Sequence, residues 1–283
     1  MERRGFIVGC PRSGTTLLQS MLMSHSRIHS FPETHFFARG FGGRRRWVLH
    51  ETLRGGYLWY LTVKWKATQV GLSWNEAVST PVAWSKRRMT QIFLRMLDDM
   101  AAHEGADLWI EKTPRHIDFI PVIKEHVPHP FFIHIVRDGR AVVASLHRLS
   151  HSNPEKWRHY QDIDVAIARW NKAVHGTVAY MHEDAHHVVG YEQIVTEPRP
   201  ALEALSAFMR VSFENDMLKE FGSHAEKVVH ERESWKGTNL QSALKSPGLE
   251  KFNNTFSEHQ RAYITDRLDW EAYQRLGLCT VSE

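Results

Sequence analysis

The chain has 283 residues, 42% of them hydrophobic and 24% charged, and its formal charge of +4 suits an anionic small ligand better than a nucleic acid. It contains no apolar run of about 18 residues and no signal peptide before its first strand, so we expect a cytoplasmic protein without a membrane span. Its two cysteines, Cys10 and Cys279, cannot form a disulfide framework, which favours a reduced compartment.

Segments typical of strands alternate along the chain with segments typical of helices. The predicted strands are 5–9, 107–111, 130–136 and 187–191. The predicted helices are 14–24, 116–126, 141–149, 162–183 and 199–209. This alternation predicts an α/β fold with three layers, in which helices cover both faces of a central parallel sheet.

The first two predicted strands are separated by nearly a hundred residues, where a β–α–β unit needs roughly thirty in all. We therefore predict a single domain, 1–283, that carries residues 39–103 as a helical cap near the carboxyl edge of the sheet, where ligands bind in such folds. Five tryptophans and the basic run 44–46 in this insertion suit a substrate pocket. The alternative is a plain helical subdomain whose tryptophans form its own core.

The segment Gly9-Cys10-Pro11-Arg12-Ser13-Gly14-Thr15-Thr16 follows the first strand and opens the first helix. It matches the P-loop spacing, G-x-x-x-x-G-K-S/T, except that Thr15 replaces the lysine. Backbone N–H groups of residues 13–16 are predicted to point at one spot, at the positive end of the helix dipole, where a phosphate or sulfate binds. The missing lysine argues against ATP as the ligand, because that lysine neutralises the β- and γ-phosphates. Arg12 supplies positive charge instead.

The stretch from Val8 to Leu18 resembles the 5′-phosphosulfate-binding loop of sulfotransferases that use 3′-phosphoadenosine 5′-phosphosulfate (PAPS). The branch it resembles includes tyrosylprotein sulfotransferases and many bacterial small-molecule enzymes. The resemblance implies a P-loop-type fold and in-line transfer of a sulfuryl group from PAPS to an acceptor hydroxyl or amine, with no metal. It also implies that the loop binds the donor through Arg12, Ser13, Gly14, Thr15 and Thr16.

A second motif places Arg137 at the end of a predicted strand and Ser145 eight residues later. It is similar to the 3′-phosphate motif of the same family, and an arginine fork with a serine hydroxyl suits a phosphate dianion. The alternative is surface charge at a helix start, capped by Asp138. Tyr191 resembles the tyrosine that lies near the adenine in this family, although a tyrosine packed at a strand end would show the same pattern.

The resemblance also suggests which residues carry out the reaction. Glu33 precedes a threonine and lies 21 residues beyond Arg12, as does the glutamate of the tyrosylprotein branch, so we predict that Glu33 is the general base. His35 is the substitute for that role. Lys112 is similar to the family lysine that contacts the bridging oxygen of the donor, where positive charge stabilises the leaving phosphate. The alternatives are a solvated carboxylate and an ordinary exposed lysine.

Residues 237–255 are predicted to form a loop, and the family closes a serine or lysine from such a region over the nucleotide. The candidates are Ser242, Lys245, Ser246 and Lys251. Aromatic residues in the insertion favour a small-molecule acceptor, whereas the nearby arginines would suit an acidic glycan or peptide. Two other functions remain open. Thr15 argues against a P-loop kinase-like phosphotransferase, and Glu33 with Lys112 argues against a non-catalytic nucleotide-binding module.

Overall fold

The computed structural model describes residues 3–41, 86–219 and 249–278. At its centre lies a five-stranded sheet in which every pairing is parallel and the strand order is β2-β3-β1-β4-β5. The strands are β1 (Arg3–Gly9), β2 (Ile28–Phe31), β3 (Leu108–Lys112), β4 (Pro130–Val136) and β5 (His186–Gly190).

Helices follow the strands, and two 3₁₀ helices, Pro114–Phe119 and Arg158–Gln161, interrupt them. In chain order the α-helices are α1 (Thr15–Met23), α2 (Phe36–Gly40), α3 (Lys86–His103), α4 (Ile120–His126), α5 (Gly139–Ser152), α6 (Pro154–Trp157), α7 (Ile163–Val178), α8 (Tyr191–Thr196), α9 (Pro198–Met209), α10 (Asp216–Lys219), α11 (Glu250–Thr255), α12 (Glu258–Arg267) and α13 (Trp270–Gln274). None of the helices in the described ranges has both the length and the apolar character that crossing a bilayer requires.

The two faces of the sheet have separate cores, because successive side chains of a strand point to opposite faces. Phe6 and Val8 of β1 are buried with residues of α3, α5 and α7. Ile7, between them, is buried with residues of α1 and α9. The predicted three-layer α/β fold with a central parallel sheet is therefore confirmed.

The prediction of four strands is wrong, because Ile28–Phe31 forms a fifth one. His29 and Ser30 interrupt its apolar pattern, and its pairing partner lies about eighty residues further along the chain, with Ser30 opposite Ile110. The four predicted strands agree with the observed ones within two residues. The predicted loop 237–255 is also wrong at its end, since residues 250–255 form α11.

The predicted insertion, residues 39–103, begins after β2 and inside α2. Its last part, residues 86–103, is α3, which places Phe93 and Leu97 in the core of the sheet. Asp98 of α3 also accepts a hydrogen bond from the Trp109 indole at 2.7 Å. This part therefore belongs to a helical layer of the main fold. Residues 42–85 lie outside the described residues, so the cap that they are expected to form stays a prediction.

Candidate functional site

At one position of the loop after β1, the path of the backbone leaves no room for a side chain. Gly14 is the N-cap of α1 and has a φ of 91°, in the left-handed region. A Cβ atom there would lie 2.2 Å from the ring of Tyr191, which packs directly on the loop. Thr15 and Thr16 follow as the first residues of α1, where N–H groups have no acceptor within the helix. The loop and the positive end of α1 therefore form an anion-binding geometry.

Ser13 departs from the prediction that residues 13–16 direct their N–H groups at one spot. Its N–H donates to the Cys10 carbonyl at 3.2 Å, inside the loop. Its hydroxyl is buried and has no hydrogen-bond partner within the described residues. Burial also raises the pKa of the Cys10 thiol to about 12, so this cysteine is protonated at neutral pH. Cys279 lies outside the described residues.

The two predicted phosphate motifs meet in space. The Arg12 Nε atom donates to the Ser145 hydroxyl at 3.0 Å, and the Arg137 guanidinium donates to the Arg12 carbonyl at 3.4 Å. The same guanidinium stacks 4.1 Å from the centroid of the Tyr191 ring. Tyr191, predicted near an adenine, thus contacts both the loop and Arg137. Parallel pairing of β1 with β4 explains the meeting, because both strands end at the same edge of the sheet.

Further cations converge on this position. Burial and the positive charges of Arg137, Arg148 and Arg12, in that order, lower the pKa of Lys251. Arg148 was missed by the sequence analysis, although it lies three residues after Ser145 on α5, a spacing that places two side chains on one helix face. Lys251 lies in α11, and its fellow candidates Ser242, Lys245 and Ser246 lie outside the described residues.

Residues next to Arg137 support the fold around it. Asp138 caps α5 by accepting from the Arg140 N–H at 2.9 Å and forms an ion pair with the Arg140 side chain at 2.8 Å. The Asp138 N–H donates to the buried Glu192 carboxylate at 3.2 Å, and burial raises the pKa of Glu192. Asp138 therefore acts as the predicted helix cap, while Arg137 remains directed towards the loop.

The predicted catalytic pair is in direct contact. The Lys112 Nζ atom donates to the Glu33 Oε1 atom at 2.6 Å, and His35 Nε2 lies 3.5 Å from Glu33 Oε2. Register explains this contact: Phe31 of β2 pairs with Glu111 of β3, so Glu33 and Lys112 lie at neighbouring strand ends. Burial lowers the pKa of His35 and thus favours its neutral form.

One cleft, of about 1370 Å³, joins these groups. Eight of the ten predicted site residues line it, namely Arg12, Gly14, Thr15, Thr16, Glu33, Arg137, Ser145 and Tyr191. Ser13 and Lys112 do not line it, and the Lys112 side chain, 3% exposed, lies behind Glu33. The sequence analysis missed a further part of the wall, which consists of Arg115, Asp118, Lys156, Trp157, Tyr160, Arg169 and Lys172. These residues come from separate segments, so no spacing in the sequence joins them.

The fold and the site together define a class of protein. A parallel sheet carries a glycine-containing loop, a helix N-terminus and converging cations at its carboxyl edge. This is the class of α/β proteins that bind an anionic ligand at the ends of their strands.

Comparison with known proteins identifies the family within this class. The profile of the sulfotransferase family matches residues 6–215, and the chain belongs to that family. Protein-tyrosine sulfotransferase 1 of Danio rerio is 28% identical over 227 residues, which are 79% of this chain and 56% of that protein. The chain thus spans little more than half the length of that curated relative.

Solved structures share the fold. The sulfotransferase domain of the Synechococcus PCC 7002 olefin synthase matches with a TM-score of 0.66 and 21% identity, over 99% of this chain and 96% of that domain. A mouse sulfotransferase in complex with 3′-phosphoadenosine 5′-phosphate (PAP) matches with a TM-score of 0.54 and 12% identity, over 94% of this chain and 83% of that protein. At these identities, the likeness concerns the fold.

Proposed function

We propose that this protein transfers a sulfuryl group from PAPS to a hydroxyl or amine of an acceptor. The observation that carries the proposal is a single cleft with a cationic end, formed by Arg12, Arg137 and the loop, and a carboxylate, Glu33, also in its wall. The first feature suits a donor with two phosphate groups, and the second provides a proton acceptor near the reacting atoms.

The donor end fits a nucleotide with separate 5′- and 3′-phosphate groups. Arg12, Gly14, Thr15 and Thr16 would hold the 5′-phosphosulfate, and Arg137 with Ser145 would hold the 3′-phosphate. The Arg137 Nε atom is buried and has no hydrogen-bond partner within the described residues, which suits an anionic ligand that completes its bonding. When bound, PAPS would supply the sulfuryl group and a phosphate as its leaving group.

At the acceptor end, Glu33 would accept the proton of the attacking hydroxyl or amine. The ion pair with Lys112 favours the ionised carboxylate, which is the form that can accept a proton. The positive charge of Lys112 would also stabilise negative charge that develops on the leaving phosphate. No covalent enzyme intermediate and no metal are part of this proposal.

We favour a small-molecule acceptor, with a tyrosine-containing peptide or a glycan as the second candidate. A volume of about 1370 Å³ exceeds the roughly 300–1,000 Å³ of a typical single-ligand pocket, which suits a donor and an acceptor bound together. The name of the Danio rerio relative favours the peptide. Arg115, Lys156 and Lys172 in the cleft wall would favour an acceptor with negative charge.

The decisive experiment offers the protein two donors, PAPS and ATP, each with a panel of phenols, alcohols, amines and tyrosine peptides. We expect sulfated products with PAPS and no phosphorylated products with ATP, because Thr15 stands where a P-loop kinase has its lysine. Phosphorylated products would favour the kinase-like alternative. Tight binding of PAP without turnover on any acceptor would favour a non-catalytic module.

A further inference from the structure

A buried carboxylate lies behind the proposed base. The Glu111 Oε1 atom accepts three hydrogen bonds: from the Thr34 N–H at 3.1 Å, from the Thr34 hydroxyl at 2.8 Å and from the Thr113 hydroxyl at 2.6 Å. Glu111 is completely buried in β3. The proposed reaction does not use it, so its burial needs another explanation.

A histidine lies against the second oxygen of this carboxylate. The His116 Nδ1 atom lies 2.9 Å from Glu111 Oε2, and both side chains are completely buried. The two atoms meet at ion-pair distance rather than in a well-aligned hydrogen bond. The rings of Phe6 and Phe37 surround His116 with edge contacts, which restricts its position.

The surroundings of Glu111 favour the ionised form of its carboxyl. Burial by itself would raise the pKa of the carboxyl, but the neighbouring His116 and the hydroxyls of Thr113 and Thr34 outweigh burial and lower it. An ionised carboxylate is a strong acceptor for all three donors. A buried contact between a carboxylate and an imidazole does not by itself imply added stability, so a role in placing other groups is the more specific explanation.

The hydrogen bonds of Glu111 end at the turn that carries the base. Thr34 lies between Glu33 and His35, and both its backbone and its side chain are bonded to Glu111. The His35 N–H donates to the Thr113 hydroxyl at 3.2 Å, and the Phe36 N–H donates to the Thr34 hydroxyl at 3.2 Å. The backbone N–H groups of Thr34 and His35 are thus bonded to Glu111 of β3 and to Thr113 just after it, while that of Phe36 closes the turn on Thr34.

We propose that Glu111 and His116 are positioning residues that hold the turn 33–35 on β3, so that Glu33 stays against Lys112 at the acceptor end of the cleft. Successive residues of β3 have different tasks in this arrangement, since Glu111 binds the turn from the buried side and Lys112 binds the carboxylate of the base. The inference rests on the proposed function, because it takes Glu33 as the base.

Substitutions of the two threonines test the network with little change in shape. Thr34→Val and Thr113→Val each remove a hydroxyl that donates to Glu111, and Thr34→Ser and Thr113→Ser keep it. We expect the valine variants to lower kcat about 10- to 100-fold, because displacement of a catalytic group by about 1 Å has an effect of this size. PAP affinity, measured by titration calorimetry, should stay within about twofold, since the donor residues are untouched.

The same substitution in a Glu33→Gln background separates positioning from general destabilisation. If Thr34 acts through Glu33, Thr34→Val should cause no further loss of kcat in that background, because residues that act as a unit have non-additive effects. Recovery of kcat to within about threefold of wild type in Thr34→Ser would support the same conclusion. Glu111→Gln is the stronger variant and is compared only if its melting curve remains cooperative.

Three results would overturn the inference. The first is a loss of kcat in the Glu33→Gln background as large as in the wild type, and the second is a parallel loss of PAP affinity. The third is an equal loss of kcat in Thr90→Val, the matched control, since Thr90 is a buried threonine of α3 whose hydroxyl donates to the Lys86 carbonyl at 2.9 Å, away from Glu111. Full turnover by Glu33→Gln alone would instead refute the base assignment, and the positioning role with it.

Discussion

The two ends of the cleft differ in how their charged groups are arranged. Four cations lie close together at the donor end, namely Arg12, Arg137, Arg148 and Lys251. Burial and the repulsion from the three arginines lower the pKa of Lys251. At the acceptor end, acidic groups meet basic ones, as Glu33 does with Lys112 and Glu111 with His116. The fold therefore gathers several positive charges at one end and a hydrogen-bonded network of acidic and basic groups at the other.

The difference indicates what each end is built to do. Cations held together against their repulsion form a preorganised site for a polyanion, because folding has already offset the electrostatic cost of bringing them close. Near the base the groups are paired, so apart from the proposed action of Lys112 on the leaving phosphate their contribution lies in geometry and proton transfer. Substitutions at the donor end should therefore change binding, and those at the acceptor end should change turnover.

The largest effect should come from the base. Glu33→Gln keeps the shape of the side chain but cannot accept a proton, so we expect kcat to fall about 10²- to 10⁴-fold. The dissociation constant for PAP should barely change. Steady-state kinetics with titration calorimetry measures both, and near wild-type turnover in Glu33→Gln together with an inactive His35→Ala would assign the base to His35.

The next effect concerns discrimination between PAPS and adenosine 5′-phosphosulfate (APS), which lacks the 3′-phosphate. A hydrogen bond to a charged group contributes about 1.5–3 kcal/mol, and each 1.4 kcal/mol is about tenfold in affinity, so Arg137→Ala should weaken PAPS about 10- to 100-fold. Its affinity for APS should stay nearly constant.

Arg12→Ala is the matched comparison for Arg137→Ala, because it should weaken both PAPS and APS through their shared 5′-phosphosulfate. Dissociation constants of both nucleotides are measured for each variant, with melting temperature as a check on folding. A parallel loss of both donors in a normally melting Arg137→Ala protein would contradict a contact with the 3′-phosphate.

A smaller effect is expected at Ser145. Its hydroxyl is neutral and already accepts from Arg12 Nε, so Ser145→Ala should weaken PAPS by about 2- to 10-fold, from a contribution of about 0.5–1.5 kcal/mol. Because Arg12 loses an acceptor too, APS binding should fall slightly as well. If Ser145→Ala weakened PAPS more than Arg137→Ala, the order of the two contributions would be reversed.

The stability of the protein in acid should depend on two buried histidines of the sheet that lie outside the cleft. Burial lowers the pKa of His134 to about 3 and that of His186 to about 4, and the two rings are hydrogen-bonded at 2.9 Å. The folded protein keeps both rings neutral, whereas the unfolded chain takes up protons below about pH 6.5. Stability from this pair is complete above about pH 6.5 and is lost as the pH falls towards 4 and then 3.

Melting temperature measured from pH 7 to pH 4 should therefore fall, and His134→Gln should flatten that slope. His259→Gln, which changes an exposed histidine of α12, serves as the control. Neither His134 nor His186 lines the cleft, so PAP affinity should follow a different pH dependence from the melting temperature. An unchanged slope in His134→Gln would show that other groups govern acid stability.

The sequence by itself determined the α/β layers, the loop from Gly9 to Thr16 and the positions of Arg137 and Ser145. These features depend on local patterns, namely alternating strands and helices, a strand–loop–helix spacing and a strand end followed closely by a helix. β2 escaped prediction because a four-residue strand owes its formation to its partner on β3 rather than to its own apolar pattern.

Only the tertiary structure decided which charges meet. The contact of Arg12 with Ser145, the pairing of Glu33 with Lys112 and the support of Thr34 by Glu111 each join residues 77 to 133 positions apart. Such contacts arise because parallel strands end at a common edge of the sheet, whatever their separation along the chain. Local sequence motifs therefore indicate which charged groups the site contains, while strand order and register determine how those groups pair and how deeply they are buried.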